Sequence, residues 1–162
     1  MNTKEQQGVK LPTRIVAVDY GMARIGLAVS DERKIIGTPL ETLKAEKQSA
    51  QTVTKLINVL EQHAKENRYT IESIVIGFPL LMSGKKGLLA DEVSHFVSLI
   101  ETLVTFPVVI WDERLTSVQA DRYLREGQMS RKKRSQKVDS VAAVIILQNY
   151  LDFIGLQARK DL

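Results

Sequence analysis

The chain has 162 residues, 44% hydrophobic and 26% charged, proportions that predict one well-buried globular domain and exclude two large catalytic lobes. It has no cysteine and only two histidines, His63 and His95, which excludes a disulfide scaffold, thiolate zinc sites, cysteine catalysis and a histidine-rich metal centre. The net charge of +4 is a mild basic bias, no apolar run reaches the ~18 residues of a membrane span, and the polar start Met1–Lys10 lacks a secretory signal, so a cytoplasmic protein with no membrane partner is expected.

In chain order, residues 1–12 read as a loose tail, 13–153 as the domain and 154–162 as a second tail. Arg14 to Asp19 predicts a strand: Ile15, Val16, Ala17 and Val18 form a continuous apolar run, the pattern of a strand buried on both faces. Gly21 supplies a turn, and Ile25 to Ser30 returns as a second strand with Gly26 inside it. Lys34 to Glu41 reads as a third strand that Pro39 confines to an edge or an end. The period then becomes helical. Ser49 can cap a helix whose Val53, Leu56, Ile57, Leu60 and Ala64 form one stripe.

Ile71 to Gly77 follows as a strand, and Phe78 to Gly87 as a loop. A second amphipathic helix carries Val93, Phe96, Val97, Ile100, Leu103 and Val104, and Pro107 restarts the chain as the strand Val108–Trp111. Thr116 and Gln119 form a capping box for a helix that Gly127 can close. Ser135 can cap a last helix, Val138 to about Phe153, whose apolar middle predicts deep packing. The order β-β-β-α-β-α-β-α-α predicts an α/β fold: a meander extended by two α-linked strands into one mixed five-stranded sheet with helices on its faces. This is the order of the ribonuclease H-like fold.

Three acidic sites fall where sheet and helix meet. Asp19 ends the first strand, Asp112 and Glu113 follow the apolar Val108–Trp111, and Asp139 opens the apolar last helix. Each has a plainer reading: turn chemistry for Asp19 before Gly21, complement to the helix dipole for Asp139, and a strand-end surface charge for one of the Asp112–Glu113 pair. If the fold gathers them at one end of the sheet, their mutual repulsion requires compensation, and a divalent cation supplies it. Oxygen donors suit Mg²⁺ or Mn²⁺ rather than zinc. Two such ions ~3.5–4 Å apart can drive in-line hydrolysis of a phosphodiester.

Arg122, Arg125, Arg131, Lys132, Lys133, Arg134 and Lys137 crowd the segment leading into Asp139. They read either as a solvated strip or as a phosphate-contacting one. Lys85 and Lys86 lie on a glycine-bounded loop and can touch phosphate or simply be solvated. Arg114 can orient Glu113, bind phosphate, or form a structural ion pair. Trp111 reads as core rather than as a stacking platform, and His63 and His95 as surface residues.

Four segments resemble motifs of the YqgF/RuvX family. Asp19-Tyr20-Gly21-Met22-Ala23-Arg24-Ile25-Gly26-Leu27-Ala28 is similar to its D-x-G-x-x-R-I-G-x-A, and Asp112-Glu113-Arg114-Leu115-Thr116-Ser117 to its D-E-R-L-[ST]-[ST]. Lys137-Val138-Asp139-Ser140-Val141-Ala142-Ala143 is similar to K-x-D-x-x-A-A, and Gly77-Phe78-Pro79 with Met82-Ser83-Gly84 to its G-x-P-x-x-x-x-G loop. That loop departs from the family's N-x-D-G, with Leu81 in place of Asn and Ser83 in place of Asp, so its roles are not carried over.

The resemblance implies a ribonuclease H-like nuclease that matures the 5′ end of pre-16S ribosomal RNA. Asp19, Glu113 and Asp139 would be the metal-binding catalytic acids of a two-metal Mg²⁺ or Mn²⁺ site, with Arg24, Lys85, Lys86, Arg114, Arg131, Lys132, Lys133 and Lys137 contacting nucleic acid. The implied partner is RNA, a ribosomal precursor, and the expected state is a monomer or weak homodimer. Three alternatives stay open: a resolvase of four-way DNA junctions, which would need a two-fold dimer, a non-catalytic RNA-binding assembly factor, and an actin-like nucleotide-binding domain suggested by Asp19-Tyr20-Gly21.

Overall fold

The computed structural model describes the backbone of residues 8–78, 88–112 and 131–160, and the side chains of all of these but 88–89 and 131–140. Five strands, β1 (Thr13–Tyr20), β2 (Arg24–Ser30), β3 (Gly37–Lys44), β4 (Thr70–Phe78) and β5 (Val108–Asp112), form one sheet of order β3-β2-β1-β4-β5. β1 pairs antiparallel with β2, β2 antiparallel with β3, and β4 runs parallel to both β1 and β5. The mixed sheet expected from the order of elements is the one observed. The helix expected from Thr116 to Gly127 lies outside the described residues.

β1 is central, and its alternation divides the molecule into two layers. Val16 and Val18 face one way, joining α1 (Ser49–Glu66) and α2 (Leu88–Leu103) through Leu56, Leu60, Val93, Phe96 and Ile100. Ile15 and Ala17 face the other way and meet Ala143, Ile146, Leu147 and Leu151 of α3 (Arg131–Lys160). A strand sandwiched between helical layers has no wet face, which is why its four middle residues read as an unbroken apolar run.

Several boundaries differ from the expectation: β3 runs on to Lys44 rather than ending at Glu41, and Phe78 closes β4 rather than opening the loop. β3 begins at Gly37 rather than Lys34, because Asp31 organises residues 31–36 as a turn. Its Oδ1 accepts the backbone N–H groups of Ile35 at 2.7 Å and Ile36 at 3.0 Å, and Lys34 takes the left-handed φ of 59°. Pro39 does lie on an edge strand, opposite Ala28. α1 starts at Ser49, so its cap is Gln48, which makes no side-chain cap bond. Thr52 Oγ1 ties down this end instead, accepting from Glu46 N at 2.9 Å and donating to Gln48 O at 3.4 Å.

α3 departs furthest. It starts at Arg131, so the basic run from Arg131 to Lys137 is helix rather than a strip before a cap at Ser135. Arg, Lys and Gln are good helix formers and nothing among them breaks a helix. It also runs through residues 154–160, read from sequence as a loose tail. Gly155 alone does not stop it, and Arg159 and Lys160 complement the carboxyl end of the helix dipole.

Candidate active site at the carboxyl end of the sheet

Because β1, β4 and β5 are parallel, their carboxyl ends, Tyr20, Phe78 and Asp112, lie at one end of the sheet. This is where open α/β sheets place ligands. Strand alternation then fixes which acids share a face. Asp19 follows Ile15 and Ala17 onto the α3 face, while Tyr20 goes to the opposite layer, its ring 4.7 Å from that of Phe96. Burial pushes the Tyr20 hydroxyl above its ordinary pKa, and the charge of Glu92 adds to the effect.

Half-buried Asp19 stands in a row with unusual neighbours. Its partner on β2 is Gly26. On β4, one step beyond the Val18–Ile76 pair, its neighbour is Gly77, itself paired with Trp111 of β5. Both residues flanking the carboxylate therefore carry only hydrogen on that face. In a strand, glycine leaves room for a ligand or another backbone to come close. The sequence showed Gly26 interrupting a strand and Gly77 inside a motif. That the two flank one acid depends on register between distant segments.

α3 carries Asp139 to the same end. At the far end of the sheet, Gln148 Oε1 accepts from Gly37 N at 3.1 Å and its Nε2 donates to Ile35 O at 2.7 Å. Gly37 pairs with Ser30, whose Oγ accepts from Ile15 N at 2.9 Å, so Leu147 and Gln148 are level with the start of β1. From Leu147 back to residue 139 is about 12 Å of helix, and from Ile15 to Asp19 about 13 Å of strand. Residue 139 lies one turn before buried Ala143, which packs in the same cluster as Ala17, two residues before Asp19 on the same face of the sheet.

The remaining expectations divide. Asp112 falls on the opposite face from Trp111, away from Asp19. Glu113, Arg114, Lys85 and Lys86 lie outside the described residues. Arg131, Lys132, Lys133 and Lys137 occupy the first two turns of α3, near the same end as Asp139. Arg24 opens β2, exposed, and pairs in register with Lys44. Trp111 packs at the edge of the core, 5.4 Å from Tyr150 and 5.2 Å from Phe153. His95 is exposed, but His63 is only partly so: its Nδ1 lies 2.9 Å from the Tyr69 hydroxyl. Among the described residues no three His, Asp or Glu side chains cluster as metal ligands.

Comparison with known proteins adds a family. A family model described as RuvX, Holliday junction resolvase, matches residues 13–153. A protein of Protochlamydia amoebophila (strain UWE25) named "Putative pre-16S rRNA nuclease" is 58% identical over 141 residues, 87% of this chain and 94% of that one. A Bacillus subtilis (strain 168) protein of the same name is 38% identical over 143 residues, 88% of this chain and 99% of that one. T. thermophilus RuvC, solved in complex with a Holliday junction substrate, has a TM-score of 0.54 at 15% identity, covering 88% of this chain and 96% of that chain. That last likeness is one of fold, and it bears out the ribonuclease H-like architecture.

Proposed function

The chain belongs to the RuvX family, and on that premise we propose that it is an endonuclease that hydrolyses phosphodiester bonds of a ribosomal RNA precursor. The observation that carries the reading is Asp19: a half-buried carboxylate at the end of the central strand, flanked by glycine on both neighbouring strands and on the face of the sheet that α3 covers.

Such a carboxylate beside a second one is tolerable when a cation lies between them. The donor set fits a hard ion. It offers carboxylate oxygens and no thiolate, and the bare glycine backbone beside Asp19 leaves room for an ion and its phosphate ligand. We assign Glu113 as the third acid, because Asp112 belongs to the opposite face. A bound pair of Mg²⁺ or Mn²⁺ ions would supply an acidified water and neutralise charge on the departing 3′ oxygen. The chain's own contribution is to hold the substrate. Arg131, Lys132, Lys133 and Lys137, at the amino end of a long helix, pin phosphates beside Asp139, and Arg24 contacts the strand from β2.

Asp19→Asn tests the reading. Cleavage of a pre-16S RNA fragment in Mg²⁺ is expected to fall to the enzyme-free background, while thermal unfolding and RNA binding stay close to wild type. Undiminished cleavage would remove Asp19 from the chemistry. Running the same assay on a synthetic four-way DNA junction decides between RNA maturation and the junction resolution in the family's description. Faster cutting of the junction would favour the latter.

A further inference from the structure

The carboxyl-terminal third of α3 is out of keeping with the rest of the helix. Val141–Lys160 is apolar enough to match a membrane span in composition, yet only 28% of its most apolar stretch is buried. Its first half is core, with Ala142, Ala143, Ile146, Leu147 and Leu151 all at 2% exposure or less. Beyond Leu151 one side of the helix still packs on the sheet, with Phe153 5.2 Å from Trp111 and Ile154 against the core, while the side bearing Leu156 is exposed. A groove of about 320 Å³ opens between it and the β2–β3 turn, lined by Lys34, Ile35, Asp152, Gly155, Leu156 and Arg159. Ile35 is 57% and Leu156 56% exposed.

Two features of this face point to its occupant. Asp152, Gly155, Leu156 and Arg159 follow one another at helical spacing along a single stripe. A Cβ added to Gly155 would meet nothing within 4 Å, so among the described residues no packing contact calls for glycine there. An exposed glycine within a helix costs about 1 kcal/mol relative to alanine, and close approach of a second helix is a reason for one. The charges are also self-complementary. If a copy of the helix is laid antiparallel with a two-fold axis between Gly155 and Leu156, Asp152 comes opposite Arg159 of the copy, and Arg159 opposite Asp152. Leu156 then lies beside the axis and is covered.

The geometry points to this stripe as an isologous interface through which two copies of the chain pair by their α3 ends. The pairing is independent of the nucleolytic reading. The patch is small, so the dimer is weak and reversible.

Sedimentation equilibrium of the full chain from about 1 to 500 μM, the scale of weak association, tests it. Asp152→Arg and Arg159→Asp, each setting like charges face to face, are expected to raise the dissociation constant at least tenfold. The double variant, in which the pairs are reversed but complementary, returns it to near the wild-type value. Gly155→Leu weakens pairing as well, with thermal unfolding of every variant checked by circular dichroism. A monomer at every concentration overturns the inference, as does a dimer indifferent to either charge reversal. Co-sedimentation with phosphatidylcholine–phosphatidylglycerol vesicles by a chain that stays monomeric in solution also overturns it, because the stripe then serves a lipid surface.

Discussion

A single carboxylate sets the turn that separates β2 from β3. Partial desolvation alone would raise the pKa of Asp31, but the backbone N–H groups of Ile36, Ile35 and Arg33 outweigh it and hold the carboxyl below its ordinary value. A group held low in the folded state stabilises that state in full above the ordinary carboxylate pKa of about 3.9, and the contribution fades as pH falls through the lower folded value. The site is near the surface, which keeps the effect small. Asp31→Ala is therefore expected to cost about 1 kcal/mol at neutral pH. Urea unfolding of both proteins across the acid range checks this: the gap should close as pH drops toward 2, and a gap of constant size would mean that the charge is not responsible. Gly21, two residues beyond Asp19, is constrained differently. Any Cβ there overlaps the Arg24 carbonyl oxygen, so the chain can double back beside Asp19 only with glycine at this position. Gly21→Ala should displace β1 relative to β2 and lower cleavage more than it lowers the melting temperature.

At the scale of elements, α3 is fixed to the sheet at its middle. Gln148 bonds Gly37 N, Ile35 O and Asp152 Oδ1, joining helix and hairpin through one side chain, while Leu147 packs on the bare backbone of Gly37, where an added Cβ would come within 3.0 Å of Leu147 Cδ2. Gly37→Ala is accordingly expected to destabilise the fold by about 1–3 kcal/mol through overpacking. Because this clamp also sets how far α3 reaches, the loss should extend to activity, measured as cleavage per folded molecule. An unchanged melting temperature would show that Leu147 can yield. The clamp also shows where sequence reading stops. The unbroken apolar run of β1 and the stripes of α1 and α2 are local patterns, and they gave the layers and the order of elements directly. The start of β3 depends on side-chain bonds to a turn, and the ends of α3 on which neighbours it meets. The flanking of Asp19 by Gly26 and Gly77 depends on the register of three strands far apart in sequence. Asp19 was legible as an acid closing a buried strand, and its separation from Asp112 became clear only once β5 had a register.

Across the whole molecule, charge and apolar surface are segregated along α3. Its amino end carries Arg131, Lys132, Lys133, Arg134 and Lys137 at the carboxyl end of the sheet, its middle is core, and its far end presents the apolar stripe around Leu156. A net charge of +4 spread evenly would give little field anywhere, but five cations within two helical turns give a local one. A polyanion bound there releases condensed counterions, so affinity for single-stranded RNA should fall with salt by about 0.7 log units per log unit for each phosphate engaged. Replacing Lys132 and Lys133 with glutamine removes two cations without breaking the helix, and the slope of log affinity against log salt should become shallower by roughly 1.4. Fluorescence anisotropy with a labelled oligoribonucleotide between 50 and 200 mM KCl, roughly the range over which such contacts are screened, reads this directly. Since phosphate contacts position the strand and do not read its bases, affinity should drop evenly across unrelated RNA sequences while the cleavage position stays fixed. A shifted cleavage position would mean that these lysines set register, and an unchanged slope would place the RNA elsewhere on the surface.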